Sequence, residues 1–316
     1  MMESKIVMGV DVSKSSLDYA VLPGKITNQA SNTQAGVKQI LKLARTKQVT
    51  LVVLEATGGY QNLLVEALHE ASVPVKVVNP RQVRDFARSL NRLGKTDALD
   101  AISIAEFALS RVLTPDVQKP AHQVQLSHLL LRREQLQGMI TAEKGHLEHA
   151  PAALASGIVQ HLTLMESLLK TVDTEIRELI SSVPDYAAAD KLLQSVPGVG
   201  PVVSATILAE LPELPVVSRK QAAALVGVAP FNKDSGKFRG KRHIVAGRSK
   251  VRKVMYCAMR ACLRWNSVVK GWFDRFMAAG KPYKVAVIAC VRKLLIVLRA
   301  MLITSTPWQT KSENHA

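Results

Sequence analysis

Short apolar runs alternate with amphipathic helical patterns in the first 80 residues, and this order restricts the fold more than any other feature of the chain. The runs KIVMGV and LDYAVL flank a short polar turn, which predicts an antiparallel hairpin, while TLVVLE and VPVKVV are continuous apolar runs typical of buried strands. Five strands are expected, at 5–10, 17–22, 26–30, 50–55 and 73–78. A hairpin followed by strand–helix units predicts a mixed sheet of the ribonuclease H type.

The remainder of the chain has mainly helical patterns. Two long ones are separated by HAPAALASG (149–157) and predict an antiparallel helical hairpin, which serves either as a projecting oligomerisation arm or as an ordinary hairpin packed in a core. The fold class is therefore α/β followed by α, and three domains are expected: a mixed-sheet domain, a helical arm and a mostly helical C-terminal domain, with bounds 1–120, 121–185 and 186–316.

Positive charge is concentrated in the second half of the chain. The formal net charge is +17, of which residues 1–150 contribute +4 and residues 151–316 contribute +13. Such an excess is typical of proteins that bind phosphate backbones, although a merely basic surface has the same composition. No lipidation signal or signal-peptide pattern is evident, so we expect a cytoplasmic protein without a membrane partner.

Four carboxylates occupy positions at which a fold of this type would gather them. Asp11 directly follows the first predicted strand, and Glu55 ends the fourth. Asp97 and Asp100 lie three residues apart in a helical pattern, which places both on one helix face. Carboxylate oxygens are the ligands that Mg²⁺ prefers, so the four acids predict a magnesium site for chemistry on phosphate esters.

Two further segments predict contacts with nucleic acid. Arg81, Arg84, Arg88 and Arg92 step by three, four and four residues after Pro80, so they share one face of a predicted helix that either follows a phosphate backbone or is simply solvated. In SVPGVGPVV, the residues Gly198 and Gly200 form a turn between two helices that resembles the helix-hairpin-helix motif of non-specific DNA binders.

The segment 233–253 is the most basic part of the chain. It holds nine Lys or Arg residues against the single Asp234, and Ser235 lies within it, followed by a glycine. Arg239 and Arg242 are close enough in sequence to clamp a phosphate beside this serine. Together with Lys237 and Lys241 they are expected to bind nucleic acid. Residue types alone favour Ser235 as a turn residue, because a serine hydroxyl is a weak nucleophile without help from a base, cations or a metal.

Taken together, several segments resemble the DEDD transposases of insertion-sequence family 110. They are VMGVDVSK, VVLEATGGY, RLGKTDALDA, SVPGVGPVVSATILAEL and LVGVAPFNKDSGKFRGKR, and their order covers nearly the whole chain. The resemblance implies a RuvC-like N-terminal domain whose four acids, at Asp11, Glu55, Asp97 and Asp100, bind Mg²⁺, and a C-terminal transposase domain whose nucleophile is Ser235.

The resemblance also implies an activity and partners. It implies a recombinase that moves its own insertion sequence through a covalent phosphoserine link to DNA, acting on donor and target DNA with a structured bridge RNA as guide. It further implies a homo-oligomer, dimer or tetramer, that is associated with a bacterial nucleoid when it acts. Two alternatives stay open: a metal-dependent junction-resolving nuclease without a covalent intermediate, and a non-catalytic nucleic-acid-binding protein.

Overall fold

The computed structural model of the chain divides into two compact units, residues 1–118 and 119–316. It describes residues 5–91, 97–232, 234–235, 238–240 and 242–309, with the backbone alone described at positions 97, 98, 234, 235, 238 and 239. The predicted helical arm and the predicted C-terminal segment both fall within the second unit.

Unit 1 is built on one five-stranded mixed sheet. Its strands are β1 (Val7–Val12), β2 (Ser16–Leu22), β3 (Ile26–Ser31), β4 (Leu51–Glu55) and β5 (Val75–Val78). Their order in the sheet is β3-β2-β1-β4-β5, with antiparallel pairing among the first three and parallel pairing from β1 to β4 and from β4 to β5. The mixed sheet predicted from the sequence is thereby confirmed.

Helices cover both faces of this sheet. They are α1 (Gln34–Thr46), α2 (Asn62–Glu70), α3 (Pro80–Ser89) and α4 (Asp97–Leu109). Alternate residues of β1 pack against two separate cores: Met8 and Val10 lie with side chains of α1 and α2, whereas Val7 lies with side chains of α3 and α4. This alternation follows from the two-residue period of a strand, and it makes unit 1 a three-layer α/β/α structure.

The contact between β1 and α4 is made by backbone. A Cβ atom added at Gly9 would lie 2.4 Å from the carbonyl oxygen of Ala101 and 2.4 Å from the amide nitrogen of Ala105. At the other end of the helix, Lys5 Nζ donates to the carbonyl oxygen of Ala108 at 2.8 Å. The helix therefore runs antiparallel to β1, and its first turn lies towards the carboxyl end of that strand.

Unit 2 is helical apart from two short strand pairs in its described part. The helices are α5 (Ala121–Glu148), α6 (Ala152–Ser182), α7 (Pro184–Gln194), α8 (Pro201–Glu210), α9 (Arg219–Val226), α10 (Ser249–Trp265), α11 (Ser267–Ala278) and α12 (Tyr283–Thr304). Side chains from every one of these helices contribute to one large apolar core. The mostly helical remainder expected from the sequence is thus observed.

The first two helices of unit 2 form a long hairpin, which we call the arm. Its connection is three residues, 149–151, and not the predicted 149–157, because the alanine-rich segment after Pro151 continues as helix. A small separate cluster, Ile140, Leu162 and Met165, holds the two helices together. By length and composition alone, α6 is also apolar enough to cross a membrane, which for a single helix is weak evidence of a span.

We expect substitution of Gly9 by alanine to weaken unit 1 selectively. The added methyl group meets backbone atoms that cannot move away without shifting α4, and overpacking of this kind costs about 1–3 kcal/mol. The measurement is native-state hydrogen exchange of the β1 amides. Their exchange rates are expected to be about tenfold higher, or more, in Gly9→Ala than in the unaltered protein.

The control for this substitution is Gly138→Ala in the middle of α5. A Cβ atom there meets nothing within 4 Å, so the change is expected to leave β1 exchange unaltered and to stabilise the helix slightly. Equal exchange of β1 in both variants would contradict the importance of the Gly9 contact.

Candidate active site and nucleic-acid surface

Asp11 and Glu55 are neighbours at one edge of the sheet. The parallel pairing of β1 with β4 aligns Val10 with Leu54, so the next residue on each strand is a carboxylate. Asp11 lies inside β1, which extends two residues beyond the predicted end of that strand, whereas Glu55 ends β4 as predicted. Adjacent strands are about 4.8 Å apart, so the two backbones are close at this edge.

Both carboxylates belong to the sheet face that α4 covers. On β4, Leu51 and Val53 pack in the core shared with α4, and Glu55 continues their two-residue period. On β1, Val7 packs in the same core and Gly9 lies against the backbone of α4, and Asp11 continues their two-residue period.

The other two predicted acids lie at the start of α4. From Ala101, which contacts Gly9, the helix reaches back four residues to Asp97, or about 6 Å. The strand advances about 6.6 Å from Gly9 to Asp11 in the same direction. Strand and helix therefore bring Asp11, Glu55, Asp97 and Asp100 to one end of unit 1, and the chemistry of this all-oxygen set fits Mg²⁺.

The described side chains do not by themselves complete a metal site. No three His, Cys, Asp or Glu residues among them form a group able to hold a metal ion, and the side chain of Asp97 lies outside the described part. The backbone placement supports the predicted site, and the roles of the four acids stay predictions.

Asp18 is an acidic residue at this edge that sequence reasoning missed. It lies directly opposite Asp11 in the antiparallel pair of β1 and β2, and it is only 9% exposed. Its carboxylate accepts hydrogen bonds from Gln29 Nε2 at 2.9 Å and from Ser16 Oγ at 3.3 Å. The alternation within LDYAVL was the available signal, because it places Asp18 on the same face as the buried Ala20 and Leu22.

The arginine stripe is shorter than the sequence predicts. Arg81, Arg84 and Arg88 lie on α3, but this helix ends at Ser89, and Arg92 lies beyond it and outside the described residues. Asp85 pairs with Arg81 at 3.7 Å and with Arg88 at 3.8 Å. Exposed pairs of this kind contribute at most about 1 kcal/mol, so they leave these guanidinium groups able to exchange their partner for a phosphate.

Ser235 lies in the segment 228–247, which we call the serine arm. Two strand pairs build it: β6 (Pro230–Phe231) with β9 (His243–Ile244), and β7 (Asp234–Ser235) with β8 (Phe238–Arg239). The inner pair aligns Ser235 with Phe238, so two residues connect the strands. Of the four cations predicted beside Ser235, Arg242 is described with its side chain, and it is exposed; the side chains of Lys237, Arg239 and Lys241 lie outside the described part.

Two glycines and one arginine close the base of the serine arm. Gly227 and Gly247 both have positive φ angles, of 74° and 77°, and a Cβ atom on Gly247 would lie 2.3 Å from the amide nitrogen of Gly227. Arg252 Nη1 donates to the carbonyl oxygen of Ala246 at 2.7 Å and to that of Val226 at 3.2 Å. Arg252 therefore ties the two ends of the serine arm together.

Three more cations of the basic segment also engage unit 2 itself. Arg248 pairs with Glu213, and Lys250 lies 3.7 Å from Glu210. Burial is the largest single influence on the Glu213 carboxyl and acts to raise its pKa, but the hydrogen bond from Arg248, a backbone hydrogen bond and the nearby positive charges of Arg248 and Lys119 together lower that pKa. Lys253 donates to Glu134 at 2.7 Å, which lowers the pKa of Glu134 and raises that of Lys253.

The predicted helix-hairpin-helix turn connects α7 to α8. Gly198 has a φ of 93°, and a Cβ atom there would lie 2.5 Å from the backbone nitrogen of Cys262, so this glycine is needed for packing against α10. Gly200 is the N-cap of α8, and a Cβ atom there meets nothing within 4 Å. A cleft of about 720 Å³ adjoins the turn, with Lys250 and Lys253 among its lining residues. The roles of Gly198 and Gly200 in nucleic-acid binding stay predictions.

Comparison with known proteins identifies similarity to transposases in both units. A family model described as a transposase, the DEDD type of IS110, matches residues 8–150, and a second, described as the transposase of the IS116/IS110/IS902 family, matches residues 190–273.

Curated relatives cover the chain almost from end to end. The pilin gene-inverting protein of Moraxella lacunata is 24% identical over 98% of this chain and 99% of its own length. The IS900 uncharacterized 42 kDa protein of Mycobacterium paratuberculosis is 26% identical over 89% of this chain and 75% of its own. Among solved structures, Thermus thermophilus RuvC covers 33% of this chain and 92% of its own at 16% identity, with a TM-score of 0.25.

We expect Arg252→Gln to loosen the serine arm. Hydrogen bonds from a charged donor are worth about 1.5–3 kcal/mol, and glutamine cannot reach both ends of the serine arm as the guanidinium does. Amide hydrogen exchange measured by mass spectrometry should accelerate about tenfold within 228–247 and stay unchanged in unit 1.

The matched control for Arg252→Gln is Arg260→Gln, at an exposed arginine of the same helix. It removes the same charge, so any general effect of charge on exchange appears in both variants. If the amides of the serine arm exchange at the same rate in Arg252→Gln and Arg260→Gln, the strand pairs and not Arg252 hold its base.

Proposed function

This chain belongs to the IS110 family of transposases, and from that membership we propose that it cuts and rejoins DNA at the ends of its own insertion sequence, guided by a structured non-coding RNA. The observation that carries the chemistry is that Asp11 and Glu55 lie side by side on neighbouring strands, at the edge of the sheet where the first turn of α4 lies. The name of two relatives refers to the inversion of a gene, which also requires cutting and rejoining and so favours recombination over simple hydrolysis.

In this proposal unit 1 is a RuvC-like domain whose acidic edge holds divalent metal. Asp11, Glu55, Asp97 and Asp100 would bind Mg²⁺, which supplies neutralisation of the charge that develops on a phosphoryl group during displacement. The buried Asp18 lies opposite Asp11 in the strand pair, and hydrogen bonds from Gln29 and Ser16 hold its carboxylate.

Ser235 is the proposed nucleophile. Its Oγ attacks a backbone phosphorus and loses its proton to solvent or to a nearby base, while the bond from phosphorus to a deoxyribose oxygen breaks and that oxygen takes up a proton. One phosphodiester is exchanged for another, so the step needs no oxidant or external energy, and its reversal by a different deoxyribose hydroxyl rejoins the strands. Arg239 and Arg242 would compensate the phosphate charge.

The nucleic-acid partners are bound through the basic surfaces. The exposed guanidinium groups of α3 and the serine arm are suited to DNA backbones, and the excess charge of the second half is suited to a folded RNA as well. We further propose that the arm joins copies of the chain into a homo-oligomer in the bacterial cytoplasm, since α6 exposes Leu154, Leu164 and Leu168 along its length.

Replacing Asp11 by asparagine is expected to abolish magnesium-dependent DNA cleavage. The change keeps the size of the side chain but removes one ligand charge, and losses of about 100-fold or more are expected. The measurement is cleavage of a labelled element junction by the protein with its guide RNA, together with calorimetric titration of Mg²⁺.

Glu66→Gln provides the control for Asp11→Asn, because Glu66 is an exposed carboxylate on α2 of the same unit. It should cleave and bind Mg²⁺ like the unaltered protein. Unimpaired cleavage by Asp11→Asn would remove the carboxylates from the mechanism.

Replacing Ser235 by alanine is expected to eliminate the covalent protein–DNA adduct. Denaturing electrophoresis of reactions quenched during strand exchange should show a shifted, protease-sensitive band for the unaltered protein and none for Ser235→Ala.

Ser249→Ala, at an exposed serine of the same basic segment, should retain the adduct. An adduct that survives Ser235→Ala would exclude this serine as nucleophile. Free DNA ends with no adduct in the unaltered protein would instead identify a junction-resolving nuclease.

A further inference from the structure

An exposed tryptophan ends helix α10. Trp265 is 66% exposed, the most exposed Trp, Tyr or Phe among the residues that the structure describes. Tryptophan combines a broad apolar face with a polar N–H group, and it is enriched at binding surfaces for that reason.

A guanidinium group packs over the Trp265 ring and places a positive charge beside it. The guanidinium carbon of Arg264 lies 4.9 Å from the centroid of the Trp265 ring, within cation–π distance. Arg260, one turn earlier on the same helix, is also exposed. A ring and a positive charge combined in this way suit a planar aromatic group that is attached to phosphates.

The backbone around Trp265 is fixed. The next residue, Asn266, is buried; its Nδ2 donates to the carbonyl oxygen of Pro197 at 3.4 Å, and its Oδ1 accepts from the amide of Val269 at 3.1 Å. Cys262, one turn earlier, is buried against Gly198. The ring therefore stands on a rigid base beside the turn that carries Gly198 and Gly200.

We propose that Trp265 is a stacking platform for an unpaired nucleobase, with Arg264 supporting the ring and Arg260 contacting the adjoining phosphate. This inference rests on the proposed function, since it assigns one binding site on the nucleic acid that the chain acts upon. Bases within a duplex are covered on both faces by their neighbours, so the site selects single-stranded segments such as RNA loops or DNA opened during strand exchange.

The first test measures binding of a fluorescein-labelled oligothymidine by fluorescence anisotropy at constant salt. Trp265→Ala is expected to bind the oligothymidine about tenfold more weakly, because one base–aromatic stack is lost, and to bind a duplex of equal length as the unaltered protein does. Val216→Ala, which trims a side chain that is 84% exposed but not aromatic, should bind both ligands normally.

The second test observes the ring itself. Stacking of a base on tryptophan quenches its fluorescence, so oligothymidine should quench the unaltered protein and quench Trp265→Phe much less, although the phenyl ring preserves most of the affinity. Trp272 and Trp308 remain in both proteins and supply the constant background.

The outcomes separate this inference from the function on which it rests. If the unaltered protein binds neither ligand, the proposed binding of nucleic acid fails. If it binds oligothymidine and Trp265→Ala binds equally well, the stacking platform alone is refuted. If Trp265→Ala changes the oligomeric state in solution but not the affinity for oligothymidine, the ring belongs to a protein–protein contact and the proposal is overturned.

Discussion

The acidic edge of unit 1 depends on one backbone contact. Because Gly9 has no side chain, the helix backbone at Ala101 and Ala105 can lie directly on β1. A larger residue would hold α4 away from the sheet, and the first turn of the helix, with Asp97 and Asp100, would move with it. Sheet pairing places Asp11 beside Glu55, but only this close approach brings acids from a distant part of the sequence to them.

Charge in unit 2 is used in two ways that composition cannot separate. Four of the nine cations in 233–253 bind groups of unit 2: Arg248 and Arg252 hold backbone carbonyls, and Lys250 and Lys253 face glutamates. Arg242, nearer the tip of the serine arm, is exposed and is therefore available to a phosphate. A run of basic residues is thus partly a structural clamp and partly a binding surface.

The sequence predicted the sheet well because its signals are local. Continuous apolar runs identify buried strands, and a hairpin followed by parallel strands leaves few topologies. The end of β1 was placed too early because Asp11 interrupts the apolar run although its backbone continues in the ladder. The end of α3 was placed too late because the arginine spacing continues past Ser89, whereas Asn91 adopts a positive φ of 56°. The clamp at Arg252 was missed because its partners, the carbonyl oxygens of Val226 and Ala246, are fixed by tertiary structure. Asp18 had a local signal in the alternation within LDYAVL, which was not used.

The two halves of the proposed chemistry have opposite electrostatic requirements, which gives a physical reason for placing them in separate units. Clustered carboxylates repel a phosphodiester and need cations before DNA can approach, so they suit a rigid sheet edge where backbone pairing sets their positions. A serine nucleophile needs the reverse, a positive surrounding that attracts phosphate and stabilises its charge. In the serine arm Asp234 is the only acid, and its base is anchored by Gly227, Gly247 and Arg252. Since each unit has its own core, the effect of a substitution at the carboxylates of unit 1 or at Ser235 of unit 2 can be measured without unfolding the other unit.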